Sequence, residues 1–144
     1  MNPDIFLSST INGSFSAPFF TTRFKEALFH YSALFDMFGM TLSRENPERI
    51  HFEWEFYGRE GMNVIACEGV DRVERPETYK QWQVRMMRAG FKQKPVEAAL
   101  VEWFREKIKK WGYHKDFVID EDCNWFLQGW IGRILFSSSC WVPS

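Results

Sequence analysis

Between Thr21 and Phe38 the apolar residues Phe24, Ala27, Leu28, Tyr31, Leu34, Phe35 and Phe38 recur in steps of three and four. That spacing puts them on one stripe of a 3.6-residue helix, so an amphipathic helix is predicted, with Thr21 or Thr22 as its cap and Gly39 as its end. Before it, Asp4–Ile11 is a short apolar run that gives way to "NGSFSAPFF", where Gly13 and Pro18 supply turn chemistry; a strand leading into a loop is expected. A second helix start follows at Asn46, with Pro47 in the first helical position and Glu48 in the first turn. Beyond it the pattern is ambiguous. Val64 and Ile65 in the run Met62–Cys67 suit a buried strand, and Gly58 and Gly61 each cost a helix about 1 kcal/mol relative to Ala. One long helix from about Pro47 to Cys67 is the preferred reading, because no stronger turn signal interrupts it.

Further along, Pro76 and Glu77 open a predicted helix that Gly90 closes, with Tyr79, Trp82, Val84, Met86 and Met87 set among basic residues. Phe91–Val96 reads as a short strand or extended link. In "EAALVEWFREKIKKWG" Leu100, Phe104, Ile108 and Trp111 share a helical face, and the lysines near its carboxyl end suit the dipole. The period then falls to two. "DFVIDEDCNWFLQGWIGRILFSSSCW" predicts three strands, turning first at Glu121–Asp122 and again at Ile131–Gly132. A strand, then helices, then an antiparallel meander describe the end of an α/β domain with mixed strand directions at one edge. The chain reaches its first strand within a few residues, as a segment of a longer protein would.

Composition sharpens this picture in two ways. With 144 residues, of which 7 are Trp and 15 Phe, one domain is expected, its aromatic rings supplying most of the burial free energy at about 25 cal/mol per Å². Charge is balanced overall at −1, which argues against non-specific nucleic-acid binding by the chain as a whole. The local balance differs: residues 85–115 carry 9 basic and 3 acidic side chains, a net +6 that leaves −7 for the rest. Arg85, Arg88, Lys92, Arg105, Lys107, Lys109 and Lys110 lie there, interleaved with Trp103 and Trp111, and are the candidate contacts to phosphates or to a partner. Ordinary charged faces of two amphipathic helices are the stronger reading.

Candidate catalytic groups are weak. Ser137, Ser138 and Ser139 sit in a predicted strand with no GxSxG elbow. Asp120, Glu121 and Asp122 fit no calcium-loop spacing, and His51 with Glu53 and Glu55 is not an HExxH set. Cys67 has a neighbouring carboxylate, Glu68, which raises rather than lowers a thiol pKa. The three cysteines show no CxxC pairing or zinc spacing and fit a reduced intracellular setting. No phosphate-cradling glycine loop occurs, so no cofactor is expected, and no apolar run is long enough for a membrane span. Arg59 with Glu60, Arg72 with Glu74 and Arg75 with Glu77 are expected to form structural ion pairs rather than a site.

Read together, these stretches resemble the carboxyl-terminal part of the GRAS domain of plant transcriptional regulators, in particular the SCARECROW-like group. The family's PFYRE region is matched by Pro18 in "APFF", by Phe29 and Tyr31, and by Arg59 and Glu60 in "FYGRE". Its SAW region is matched by "RVER" (Arg72 to Arg75, with Glu74), by Trp82 and Gly90, by "LQGW" from Leu127 to Trp130, and by Ser139, Cys140 and Trp141. Cys140 stands where the family has alanine; it is small and apolar enough for the same packing site. The resemblance implies a partial GRAS domain over 1–144, PFYRE-like to about 60 and SAW-like from about 61, with the leucine-rich and VHIID regions outside the chain. It further implies the end of a Rossmann-type, methyltransferase-like sheet with flanking helices, and a non-enzymatic role in the nucleus. Other transcriptional regulators or GRAS proteins are the implied partners, with DNA reached through the complete domain. A methyltransferase-like enzyme using S-adenosylmethionine is the alternative, by analogy of fold.

Overall fold

The computed structural model describes residues 4–144; Met1 to Pro3, with which the expected PFYRE-like region opens, lie outside the described residues. In chain order the elements are β1 (Phe6–Ile11), α1 (Phe20–Thr41), α2 (Pro47–His51), a π-helical stretch (Phe52–Gly58), α3 (Arg59–Ala66), α4 (Tyr79–Arg88), β2 (Phe91–Lys94), α5 (Ala98–Trp111), β3 (Phe117–Asp122), β4 (Trp125–Trp130) and β5 (Arg133–Pro143). They divide into two compact units, one formed by residues up to Asn12 together with Thr78–Ser144, the other by Gly13–Glu77.

The first unit is a five-stranded antiparallel sheet in the order β1-β5-β4-β3, with β2 also paired to β5. Every strand pairing among the described residues is antiparallel, so the mixed directions expected at one edge are not found. β5 is long enough to serve three partners: β1 runs along residues 136–141, while β4 at residues 133–138 and β2 at residues 140–143 share the opposite edge. Both hairpins turn on two residues with positive φ, Cys123 (52°) with Asn124 (61°), and Ile131 (45°) with Gly132 (73°). This geometry matches the right-handed twist of the strands it joins. The first turn therefore falls two residues later than predicted, because Glu121 and Asp122 remain paired to Phe126 and Trp125.

Alternation along β5 buries Leu135, Ser137, Ser139 and Trp141 on one side. On that side Trp125, Leu127 and Trp141 form the core, and Tyr79, Trp82 and Met86 of α4 cover it. α5 lies on the other side, where Phe104 meets Phe126 with ring centroids 5.0 Å apart. Val101 is the buried residue of α5, whereas Leu100 and Trp111 of the predicted face are exposed. α4 starts at Tyr79 rather than Pro76, since Thr78 caps it reciprocally with Gln81.

The second unit packs α1 against α3. The predicted cap at Thr21 or Thr22 is absent: α1 begins two or three residues earlier, where Phe20 stacks on Phe24 at 5.7 Å, and the helix runs through Gly39 to Thr41. From Pro47 to Ala66 the backbone stays helical, as the long-helix reading expected, but its middle turn is widened into the π stretch. Gly58 explains why that stretch tolerates its geometry, for a Cβ there would lie 2.6 Å from the Glu53 carbonyl oxygen.

Candidate functional site

Of the SAW-like residues, Leu127, Trp130, Ser139 and Trp141 are buried in the sheet unit, whereas Arg72 to Arg75 belong to the second unit. Ser139 and Trp141 point to the same buried side of β5, and the Trp141 indole N–H donates to Ser139 Oγ at 2.7 Å. Cys140, between them, points to the opposite side, into a groove of about 620 Å³ whose walls include Leu7, Leu100, Phe104 and Phe126. A small residue at 140 keeps that groove open. Leu127 and Trp130 are buried, Trp130 with the His114 ring at 5.0 Å, and Trp82 is half-buried against the Trp125–Trp141 pair. Gly90 holds φ of +85°, and its carbonyl accepts from the Ser144 N–H at 3.0 Å, tying the last residue to the turn after α4.

The PFYRE-like residues, and the SAW-like Arg72 to Arg75 that lie in the same unit, are less uniform. Tyr31 is buried and stacks on Phe15 at 5.8 Å, while Pro18 and Phe29 are exposed. Arg59 does not pair with Glu60: its partner is Glu55, one turn back, at 2.6 Å, and both are exposed. Arg72 does not pair with Glu74. Its side chain is buried, with Nε and Nη1 lacking hydrogen-bond partners among the described residues. Arg75 donates instead to the carbonyls of Arg72 (3.1 Å) and Gly69 (2.7 Å). Arg59 and Glu60 are adjacent in a helix, where neighbours point apart and cannot close a pair, and Arg75 is engaged by backbone carbonyls instead.

The ion pair that does clamp this unit is Arg23–Glu68. Arg23 is 1% exposed, donates Nε to the Val64 carbonyl at 2.9 Å and Nη1 to the Ala17 carbonyl at 3.5 Å, and so ties α1 to α3 and to the loop before it. The sequence carried a signal for it: Arg23, Ala27, His30, Tyr31 and Leu34 fall on one helical stripe, and all five are buried. A charged residue on an apolar stripe calls for a partner.

Glu60 and Glu74 form a cluster that the sequence pattern did not single out. Asn63 accepts from the Val73 and Glu74 backbone N–H groups at 3.0 Å each and donates to the Asp71 carbonyl at 2.9 Å, which brings Glu74 back to α3. Burial, with the Glu74 carboxylate beside it, pushes the Glu60 carboxyl up to about 7. The same burial, with Glu60 close by, raises the Tyr31 and Tyr57 hydroxyls above their ordinary range.

The basic residues do not make one surface. Arg85 and Arg88 belong to α4, on the Trp141 side of the sheet; Arg105, Lys107, Lys109 and Lys110 belong to α5, on the Cys140 side, and Lys92 in β2 is exposed. Arg105 is engaged with Glu102 and with Asp120 at 3.5 Å, and Lys107 lies over the rings of Trp103 and Trp111, at 5.1 and 5.9 Å. The serines of β5 serve as ties to β1, Ser137 to Thr10 and Ser138 to Ser9, each at 3.0 Å. Asp122 accepts from the Tyr79 hydroxyl at 2.6 Å and pairs with Lys80 at 3.2 Å, contacts that hold its carboxyl below the usual range. Cys67 is half-buried, and His51 is exposed with its ring edge-on to Phe52. Among the described residues no group of three or more His, Cys, Asp or Glu is placed to hold a metal, and no helix is long and apolar enough to cross a membrane.

The model of the GRAS domain family matches residues 1–142. Scarecrow-like protein 31 of Arabidopsis thaliana is 88% identical over all 144 residues, which are 21% of its length. Scarecrow-like protein 34 of the same plant is 71% identical over 144 residues, 23% of its length. The crystal structure of SCL7 from Oryza sativa superposes with a TM-score of 0.86 at 25% identity, covering 96% of this chain and 39% of that one. The chain thus spans about a fifth of the length of these two plant relatives.

Proposed function

The chain belongs to the GRAS domain family, and from that membership we propose that it is a non-enzymatic module of a nuclear transcriptional regulator in plants. Its PFYRE-like residues, to about 60, and its SAW-like residues, from about 61, build the domain core and hold surfaces for other transcriptional regulators or GRAS proteins, with DNA reached through the complete domain. The observation that carries this reading is the use made of the SAW-like residues. Leu127, Trp130, Ser139 and Trp141 are consumed in packing and in one buried hydrogen bond, and Trp82 closes the same core. Residues that act on a substrate need access to it; Leu127, Trp130, Ser139 and Trp141 are buried.

The finer architecture belongs to the same proposal. β1 pairs with β5 along one edge only among the described residues, which leaves its other edge open to a further strand. An open, unprotected edge of this kind invites strand addition, and this supports the reading of the sheet as the end of a larger Rossmann-type, methyltransferase-like one.

Tethering the chain to a heterologous DNA-binding domain in plant cells and reading a reporter gene tests the regulatory role. A change in reporter level that disappears with Trp141→Ala is expected; a reporter unaffected by the intact chain would overturn the proposal. Calorimetry with S-adenosylmethionine separates the enzyme alternative, for which saturable binding would speak.

A further inference from the structure

The solvent face of α5 carries side chains that the core does not use. Val101 is buried and Phe104 meets Phe126 on the sheet, while Trp103 (46% exposed), Trp111 (58%) and, just past the helix end, Tyr113 (53%) stay open to water. Trp103, Lys107 and Trp111 are spaced four apart, so they form one stripe along the helix. The Lys107 ammonium lies over both indoles, 5.1 Å from the Trp103 ring centroid and 5.9 Å from that of Trp111. Tyr113 extends the row, its ring 6.2 Å from Trp111. Scattered exposed apolar side chains are ordinary, but a contiguous row of aromatic rings on one solvent face marks an interaction site.

The row is also positively charged. Lys109 and Lys110 are exposed in the last turn of the helix, and neither they nor Lys107 makes an ion pair among the described residues. Glu102, by contrast, is engaged by Arg105, which also reaches Asp120. Glu106 alone among the acidic residues of α5 remains to offset the three lysines.

We infer that this strip docks an acidic amphipathic helical segment of a partner regulator, one that sets apolar side chains among glutamates or aspartates. The inference rests on the regulator reading above and names one of its surfaces. Charge complementarity selects the partner: the lysine ammonium groups meet its carboxylates, and the indole faces take its apolar residues. Trp and Tyr supply large, rigid contact areas with few rotatable bonds. Lys107 holds the two indoles in place before a partner arrives, which lowers the cost of ordering them on binding. Eight residues of helix put about 12 Å between Trp103 and Trp111, so apolar residues about two turns apart on a helical partner reach both. A nucleic acid fits less well. Three lysines with Glu106 beside them offer few phosphate contacts, and the arginines of α4 lie on the opposite side of the sheet, where they cannot extend the track.

The experiment follows the indole N–H signals of the whole chain by NMR during titration with a short helical peptide of leucine and glutamate, its leucines on one face. Controls are the same peptide with lysine in place of glutamate, polyglutamate of equal length, and a single-stranded oligonucleotide. The expected result is saturable shifts at Trp103 and Trp111 with the acidic amphipathic peptide, at least tenfold weaker binding of polyglutamate and of the lysine peptide, and at least tenfold loss when Trp103→Ala and Trp111→Ala are combined. Equal binding of polyglutamate would reduce the strip to a patch of charge, and tighter binding of the oligonucleotide would make it a nucleic-acid surface. Shifts at these indoles on concentrating the chain alone would assign the strip to a second copy. Any of these results, or no saturable shift with the acidic peptide, overturns the inference, and all of them use the unaltered chain, so they decide the matter even if the variant fails to fold. No reporter is involved: a tethered chain that is silent yet binds the peptide overturns the regulator reading alone, and an active one that does not bind overturns this inference alone.

Discussion

Trp141 gives its only polar hydrogen to Ser139, two residues back on the same buried side of β5, at 2.7 Å. This bond gives the Ser-x-Trp spacing a physical meaning. Period-two alternation puts the two residues on one side and leaves the middle one to the other, so the outer positions are chemically constrained and the middle position is constrained by size. Ser139→Ala strands a fully buried indole N–H and is expected to cost about 1–3 kcal/mol. Cys140→Ala, facing the groove, is expected to stay within about 0.5 kcal/mol. Urea unfolding followed by tryptophan fluorescence measures both, and equal costs would contradict the assignment of sides.

Two glycines in the helices of the second unit should respond with opposite signs. A Cβ at Gly58 meets the Glu53 carbonyl oxygen at 2.6 Å, whereas one at Gly39 finds only the tip of Arg49 at 3.6 Å. Gly58→Ala should destabilise by about 1–3 kcal/mol through that clash. Gly39→Ala should stabilise by about 0.5–1 kcal/mol by restricting the unfolded chain. Thermal unfolding by circular dichroism reads both shifts.

The Arg23–Glu68 clamp is asymmetric. Arg23 is 1% exposed and Glu68 is 66% exposed at its side chain. Removing the arginine leaves the Val64 and Ala17 carbonyls without their donor, so Arg23→Met is expected to cost about 3 kcal/mol. Glu68→Gln removes only the solvent-screened half and should cost less than about 1 kcal/mol. Comparable losses in chemical denaturation would mean that the ion pair, rather than the backbone contacts, holds α1 in place.

Glu60 makes stability depend on pH in a definite direction. Its carboxyl is raised from 4.5 to about 7 in the folded chain. Between those values the folded state holds a proton that the unfolded state has released, so stability is fully present below about pH 4.5 and is lost as pH rises through about 7. Glu60→Gln should flatten this slope between pH 5 and 7. Denaturation midpoints across that window check it, and an unaltered slope would assign the dependence to another group.

Much of the fold was legible because it rests on local periodicity. The stripe from Phe24 to Phe38 marked α1, and period-two alternation from Phe117 onward marked the meander, including the Ile131–Gly132 turn. The other hairpin was misplaced because Cys123 and Asn124 adopt positive φ without a glycine to announce it. Sequence neighbours such as Arg59 and Glu60 suggested pairs that the helix forbids, while the pair that forms joins residues 45 positions apart. The reading of the basic segment as charged faces of two helices could not say that α4 and α5 take opposite sides of one sheet, because sequence does not give sides. The Glu60–Glu74 cluster was hidden for a related reason: it depends on Asn63 folding a loop back onto α3.

The central claim is that the SAW-like residues serve the regulator by building its core. The most direct measurement sets the output of the tethered reporter against the folded fraction of the same variants, Ser139→Ala, Trp82→Ala and Trp141→Phe, determined by denaturation. All three are predicted to fall on one line with the unaltered chain, output declining only as far as folding does. A variant that remains fully folded yet loses its output would contradict the claim, placing that residue in contact with a partner instead of in the core.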